Sequence, residues 1–249
     1  MKLESGYDKF EEIKKAKVIP SGDAILDKLL LGGFRKEFLH LLYGPSKTIS
    51  KILLSVCVNA QIILSEGYHK NLDVLRVIYV DAVNRFNPYE ISKIAAQNRL
   101  SPRRALENIL ISRAFTWEQV VELLENKIQT LTHIDVLIIA GITSLFEYKQ
   151  EHYKGLWKAI EGIKQALSRS KPYIILTATR EKYSKFKPKG GKVIQHIPSI
   201  HVFINELDRK YEYTLIQHPF LPESTLSRNR SPKKKNLASI KNRTLDEFF

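Results

Sequence analysis

Residues 38–48, FLHLLYGPSKT, decide the fold. Residues 38–43 are a compact, mostly apolar run that ends at Gly44-Pro45, and a helical pattern takes over from Thr48 to residue 64. A short run apolar on both faces, then a turn, then a helix, opens a strand–helix unit whose strand is buried between two layers. The same order repeats outward from it. Residues 74–80 form a second such run ending at Asp81, and a helix is expected over 88–98, with Pro88 suited to its first turn. Residues 109–111 read as a short strand. Val120, Leu123, Leu124, Ile128 and Leu131 share one stripe of a helix expected over residues 117–131. Residues 136–140 are another buried strand, Leu156, Ile160, Ile163 and Leu167 mark a further helix, and 173–177 a further strand. This alternation predicts an α/β fold with a mostly parallel sheet flanked by helices. Ligands of such sheets sit beyond the carboxyl ends of the strands, here residues 44–48, 81–86, 140–144 and 177–180. Past Gly191 the pattern changes: residues 199–205 and 211–217, separated by ELDRK, predict antiparallel strands added at the C-terminal side.

Composition narrows the function classes. Of 249 residues 43% are hydrophobic, enough to bury a sizeable core and too many for a mainly disordered chain. The single cysteine, Cys57, excludes an intrachain disulfide and a multi-cysteine zinc site. No HExxH pair and no G-x-S-x-G elbow is present, so no metal ligands and no catalytic residues are assigned. The opening, MKLESGYDKFEE, lacks an apolar signal core, and the longest obvious apolar run, 136–142, is strand-sized; a cytoplasmic protein with no membrane partner is expected. Forty Lys and Arg against 26 Asp and Glu leave a net charge of +14. Residues 224–249 hold seven basic and two acidic side chains, +5, so the first 223 residues keep +9. A positive field of this size draws polyanions, nucleic acid first among them.

The segments SGDAILDKLLLGG, FLHLLYGPSKT, VIYVDAVNRF, VLIIAGITSLF, YIILTATRE, the Gly190-Gly191 pair and HPFLPES follow one another with the order and spacing of the RecA/RadA recombinase core. The chain resembles that family from about residue 20 to 224, and most resembles archaeal RadA paralogues that consist of the ATPase core. The charged opening over 1–19 reads as a helix and linker and the polar, basic stretch over 224–249, without periodicity, as a tail without fixed structure, while the resemblance implies a RecA-like core over 20–223. It also implies a P-loop, and there the sequence departs. The pattern GxxxxGK[ST] places lysine at position 50 when counted from Gly44; it comes at Lys47, and the second glycine is absent. Gly44, Lys47 and Thr48 are the candidate nucleotide-binding residues. Where the resembled family has a magnesium-holding aspartate this chain has Ala140; where it has the water-activating glutamate, Val83; where it has an Asn-Gln pair, Ala178-Thr179. Each loss removes charge or positioning from phosphoryl transfer. ATP with magnesium is therefore disfavoured as a cofactor.

After Thr179 the chain reads REKYSKFKPKGGK. Arg180, Lys182, Lys185, Lys187, Lys189 and Lys192 alternate with Tyr183 and Phe186, cations for phosphates and rings for unpaired bases. The resemblance makes this interval the second DNA-binding loop; the first falls near 147–154, EYKQEHYK, a weaker candidate because its charges balance. The chain ends NRTLDEFF, where Asn242, Leu245, Phe248 and Phe249 are similar to the sliding-clamp (PCNA) interaction motif Gln-x-x-Leu-x-x-Phe-Phe, with asparagine for glutamine. Leu245, Phe248 and Phe249 stand at i, i+3 and i+4, so one helical turn brings them to one pocket. The reading is a non-catalytic accessory factor in DNA recombination, repair or replication. It binds DNA, single strands favoured, and the clamp, with a RadA recombinase or other repair and replication proteins as further partners. Two other classes stay open: a DNA-dependent ATPase with an atypical P-loop, and a protein-only regulator or cap of a recombinase or polymerase.

Overall fold

The computed structural model describes residues 5–15, 17–65, 76–184 and 186–230. Helix α1 (Gly6–Lys15) leads to β1 (Val18–Ile19), α2 (Ala24–Leu29) and β2 (Phe34–Arg35), the two strands pairing with each other. The main sheet uses β3 (Leu39–Tyr43), β4 (Val77–Asp81), β5 (Ile109–Arg113), β6 (Val136–Ala140), β7 (Tyr173–Ala178), β8 (Ile200–Glu206), β9 (Lys210–Gln217) and β10 (Ser224–Asn229), in the order β10-β9-β8-β3-β7-β6-β4-β5. From β8 to β5 every pair is parallel, and β9 and β10 are antiparallel additions. Every residue of β3, β4, β6 and β7 is buried, which is why these strands read as unbroken apolar runs.

Alternate side chains feed two cores. Leu42, Tyr79, Ile138 and Ile175 face α2, α3 (Ser46–Ser65), α4 (Pro88–Gln97) and α5 (Pro102–Glu107). Leu41, Val80, Ile139 and Leu176 face α6 (Trp117–Glu122), α7 (Gln150–Ser170) and α8 (Gly191–His196). The chain leaves β3 for the β4–β5 side, returns through β6 and β7, and crosses to β8 on the far flank. The carboxyl end of β3 is therefore the switch point, where a crevice for ligands opens.

Three expectations need correction. Ser224–Asn229 is not part of an unstructured tail: it pairs along β9 from Ser224 opposite Leu215 to Asn229 opposite Lys210. Its exposed, non-alternating side chains hide a strand held by backbone bonds and two arginine ion pairs. The expected helix over 117–131 is α-helical only to Glu122, then passes through a π-turn (Leu123–Lys127) and a 3-10 turn (Ile128–Thr130). Gly162 of α7 presses so close that a Cβ there would lie 1.9 Å from the Leu124 carbonyl oxygen, and the Gln129 amide donates to that oxygen and to Gly162. Finally, α3 is long and apolar enough to cross a membrane, which the run-length reading missed. Its buried residues, Leu53, Val56, Cys57 and Ala60 among them, pack in the core instead. Lys185 and the clamp-motif residues Asn242, Leu245, Phe248 and Phe249 lie outside the described residues.

Candidate nucleic-acid interface

Two residues, Gly44 and Pro45, separate β3 from Ser46, the first residue of α3. Gly44 has φ +141°, and a Cβ on it would stand 2.0 Å from the Ile204 carbonyl oxygen of β8. The turn is thus drawn tight against the neighbouring strand, and only glycine fits. Pro45 offers no N–H. A phosphate nest needs several successive N–H groups curled around one centre, and this turn has neither the length nor the donors. Lys47 and Thr48 do sit on the first turn of α3, with Lys47 exposed and Thr48 half-buried.

The neighbouring strand ends are closed by backbone caps and apolar contact. Asp81 is fully buried, and its two carboxylate oxygens accept the N–H groups of Val83, Arg85 and Phe86 at 2.9–3.2 Å. Its role is to fold the β4–α4 turn. Val83 lies over Gly141, whose hypothetical Cβ would be 2.3 Å from Val83 Cγ1. Gly141 donates its N–H to Thr177 Oγ1 at 2.7 Å, Thr179 donates its N–H to Thr143 Oγ1 at 3.3 Å, and the Ser144 hydroxyl reaches the carbonyls of Ala82 and Gly141. The Val83 isopropyl group thus packs over Gly141, and the hydroxyls of Thr143, Ser144 and Thr177 tie the strand ends together. Among the described residues, the Asp81 carboxylate is taken up by backbone N–H groups and the Gly44-Pro45 turn forms no nest, so these strand ends do not fit a magnesium-bound triphosphate.

The interval after β7 is a pinned hairpin. Arg180 bridges Pro188, the Glu181 N–H donates to the Lys187 carbonyl at 2.8 Å, and the Lys189 N–H donates to Thr179 at 2.8 Å. The Tyr43 hydroxyl at the end of β3 donates to the Phe186 carbonyl at 2.6 Å, and the Phe186 ring stands edge-on to Phe203 of β8, centroids 5.5 Å apart. Phe186 therefore anchors the hairpin to the sheet as well as presenting a face, 41% exposed. Tyr183 is the free ring, 88% exposed, with the Lys182 ammonium 5.4 Å from its centre. Arg180, Lys182 and Lys187 are exposed, Lys189 is half-buried, and Lys192 is exposed on the first turn of α8.

Sequence reasoning missed Tyr148, which sits beside this hairpin. It is 62% exposed, donates its hydroxyl to Glu181, and lies with its ring 5.8 Å from the Lys189 ammonium. The Glu181 carboxylate pushes the Tyr148 phenol up to about 12, so it stays a donor. The hairpin's one acid is thereby held by a neutral hydroxyl, and the lysines are left for other anions. His152, buried and stacked 4.7 Å from Trp117, fixes the Tyr148 loop by accepting the Glu147 N–H at 2.8 Å. The only signal was the aromatic in EYK, in a segment ranked low for its balanced charge.

Known proteins agree with this architecture. The Rad51 family profile matches residues 13–159, more than half of the chain. The meiotic recombination protein DMC1/LIM15 homolog of Homo sapiens is 28% identical over 231 residues, covering 82% of this chain and 66% of that protein. DNA repair protein RAD51 homolog 1 of Arabidopsis thaliana is 22% identical over 226 residues, covering 83% and 65%. DNA repair and recombination protein RadA of Cenarchaeum symbiosum (strain A) is 26% identical over 145 residues, covering 57% and 35%. The chain spans less than two thirds of the length of these relatives. The match over residues 13–159, more than half of the chain and four of the eight strands of the main sheet, places the chain in the Rad51 family.

Proposed function

We propose that this chain is a DNA-binding accessory factor of recombination and repair that acts by binding and does not hydrolyse ATP. It holds single-stranded DNA on Arg180, Lys182, Tyr183, Lys185, Phe186, Lys187, Lys189 and Lys192. The observation that carries the reading is the hairpin itself: exposed cations beside the 88% exposed Tyr183 ring, on a base pinned through Phe186 to two strands. Cations neutralise phosphates and open rings stack unpaired bases, the two parts of sequence-tolerant single-strand binding. The printed names of the relatives, recombination and repair proteins, support the same process. Tight closure of the β3–α3 turn and the apolar contact of Val83 with Gly141 support binding without turnover. The tail residues Asn242, Leu245, Phe248 and Phe249 hold the PCNA sliding clamp, and the tether raises the local concentration of a weak DNA binder at replication and repair sites.

Reversing Lys182, Lys187 and Lys189 to glutamate tests the DNA reading. Each phosphate contact on a single strand is worth roughly fivefold in affinity at about 0.1 M salt, so the triple variant loses about a hundredfold or more. Unchanged affinity for an oligothymidylate contradicts the proposal.

A further inference from the structure

On the other flank of β3 from the hairpin, a cleft of about 500 Å³ opens between the first turns of α3 and strand β10. Lys47, Thr48 and Lys51 line it from the helix, Arg228 from the strand and Arg230 from the residue just past it. Its acids are already matched. Asp23, 7% exposed, accepts the Tyr213 hydroxyl at 2.6 Å, Arg228 Nη2 at 2.8 Å and two N–H groups of α2; Glu206 accepts Arg230 Nη2 at 2.6 Å. Four cations against two carboxylates leave a formal charge of +2. That surplus is carried by Lys47 and Lys51, both exposed and without a carboxylate partner among the described residues. A smaller groove lined by Gly44, Pro45, Arg180, Asn205 and Glu206 lies between the cleft and the hairpin. It shares Glu206 with the cleft and Arg180 with the hairpin.

We infer that the DNA strand held by the hairpin continues through this groove into the cleft, where Lys47 and Lys51 contact its backbone phosphates. The inference rests on the hairpin being a DNA interface. A polymer is favoured over a small anion because cations line three adjoining sections, Lys47 and Lys51 the cleft, Arg180 the groove, and Lys182, Lys187 and Lys189 the hairpin. Both arginines are committed to carboxylates and to the Tyr211 ring, each guanidinium 5.2 Å from its centroid. What remains is two ammonium point charges four residues apart on one helix, a fit for sequence-independent backbone contact.

The test is the salt dependence of binding by the full chain, using oligothymidylates of about 5 and about 20 nucleotides, below and above one binding site. In the K47A/K51A variant, the slope of log affinity against log salt for the long strand falls by about 1.4, and affinity at about 0.1 M salt by roughly 25-fold. The short strand, held by the hairpin alone, is unaffected. A long-strand slope equal to that of the unmodified chain overturns the inference. So does competition in which ATP with magnesium reduces long-strand affinity to the double-variant level, since the cleft then takes a free nucleotide. The hairpin triple variant separates the two claims. If it weakens binding while K47A/K51A does not, only the cleft assignment falls; if it has no effect, the hairpin reading falls. Both lysines are exposed, and an unchanged melting curve shows the double variant folded.

Discussion

Single residues fasten the start of the chain to its last described strand. Asp23 caps α2 and also receives Tyr213 from β9 and Arg228 from β10. Replacing it with alanine leaves a buried hydroxyl and an arginine without their acceptor, and D23A is expected to cost about 2–4 kcal/mol in urea unfolding. A loss below about 0.5 kcal/mol contradicts the account of this hub. The motif SGDAILDKLL contains the cap, but nothing local says that strands some 190 residues later converge on it. His40 gives a pH signature. It is buried in β3, its Nδ1 donating to the Ile174 carbonyl and its Nε2 accepting the Arg35 N–H, and burial pushes it down to about 4. A folded-state value below the unfolded one means that protonation favours unfolding. The stability it contributes is complete above about pH 6.5 and is lost as pH falls towards about 4, with about 2 kcal/mol gone by about pH 5. Half-buried His218 is shifted in the same direction by its burial. A urea midpoint that does not move between about pH 7 and about pH 5 contradicts this.

At the scale of elements, the two hairpin rings separate. Tyr183 touches solvent on nearly all sides, so Y183A removes a stacking face and costs about 1–3 kcal/mol of single-strand affinity with little change in melting. Phe186 packs on Phe203, so F186A also lowers stability, by roughly 1 kcal/mol. Equal effects of the two variants on stability contradict this division. The alternation of cations and aromatics in REKYSKFKPKGGK made the loop legible, whereas which ring faces inward depended on Tyr43 and Phe203, distant in sequence. Strand β10 was illegible for a related reason. STLSRN has no alternation, and it is ordered by the ladder to β9 and the pairs Arg228–Asp23 and Arg230–Glu206. The tail beyond it carries its own prediction: truncation after Leu237 abolishes clamp binding and leaves DNA binding largely intact. Co-elution of the truncated chain with the clamp contradicts the assignment to Asn242, Leu245, Phe248 and Phe249.

For the whole molecule, the parallel sheet was readable because its inner strands are buried on both faces and so leave continuous apolar runs. The π-turn after α6 was not, since its cause is the backbone of α7 pressing at Gly162 while the helical stripe in the sequence runs on. At the switch point, the β3–α3 turn is only Gly44-Pro45 and Val83 lies over Gly141, which supports the proposed binding without turnover. On the proposed reading, the exposed cations and rings of the hairpin carry the binding. The most direct test is the affinity of the full chain for a fluorescent oligothymidylate across a salt series, with and without ATP and magnesium. The account predicts tight, steeply salt-dependent binding that is the same in both series, with no phosphate released. Binding that appears only with ATP and magnesium, or DNA-stimulated phosphate release lost in K47A, contradicts it.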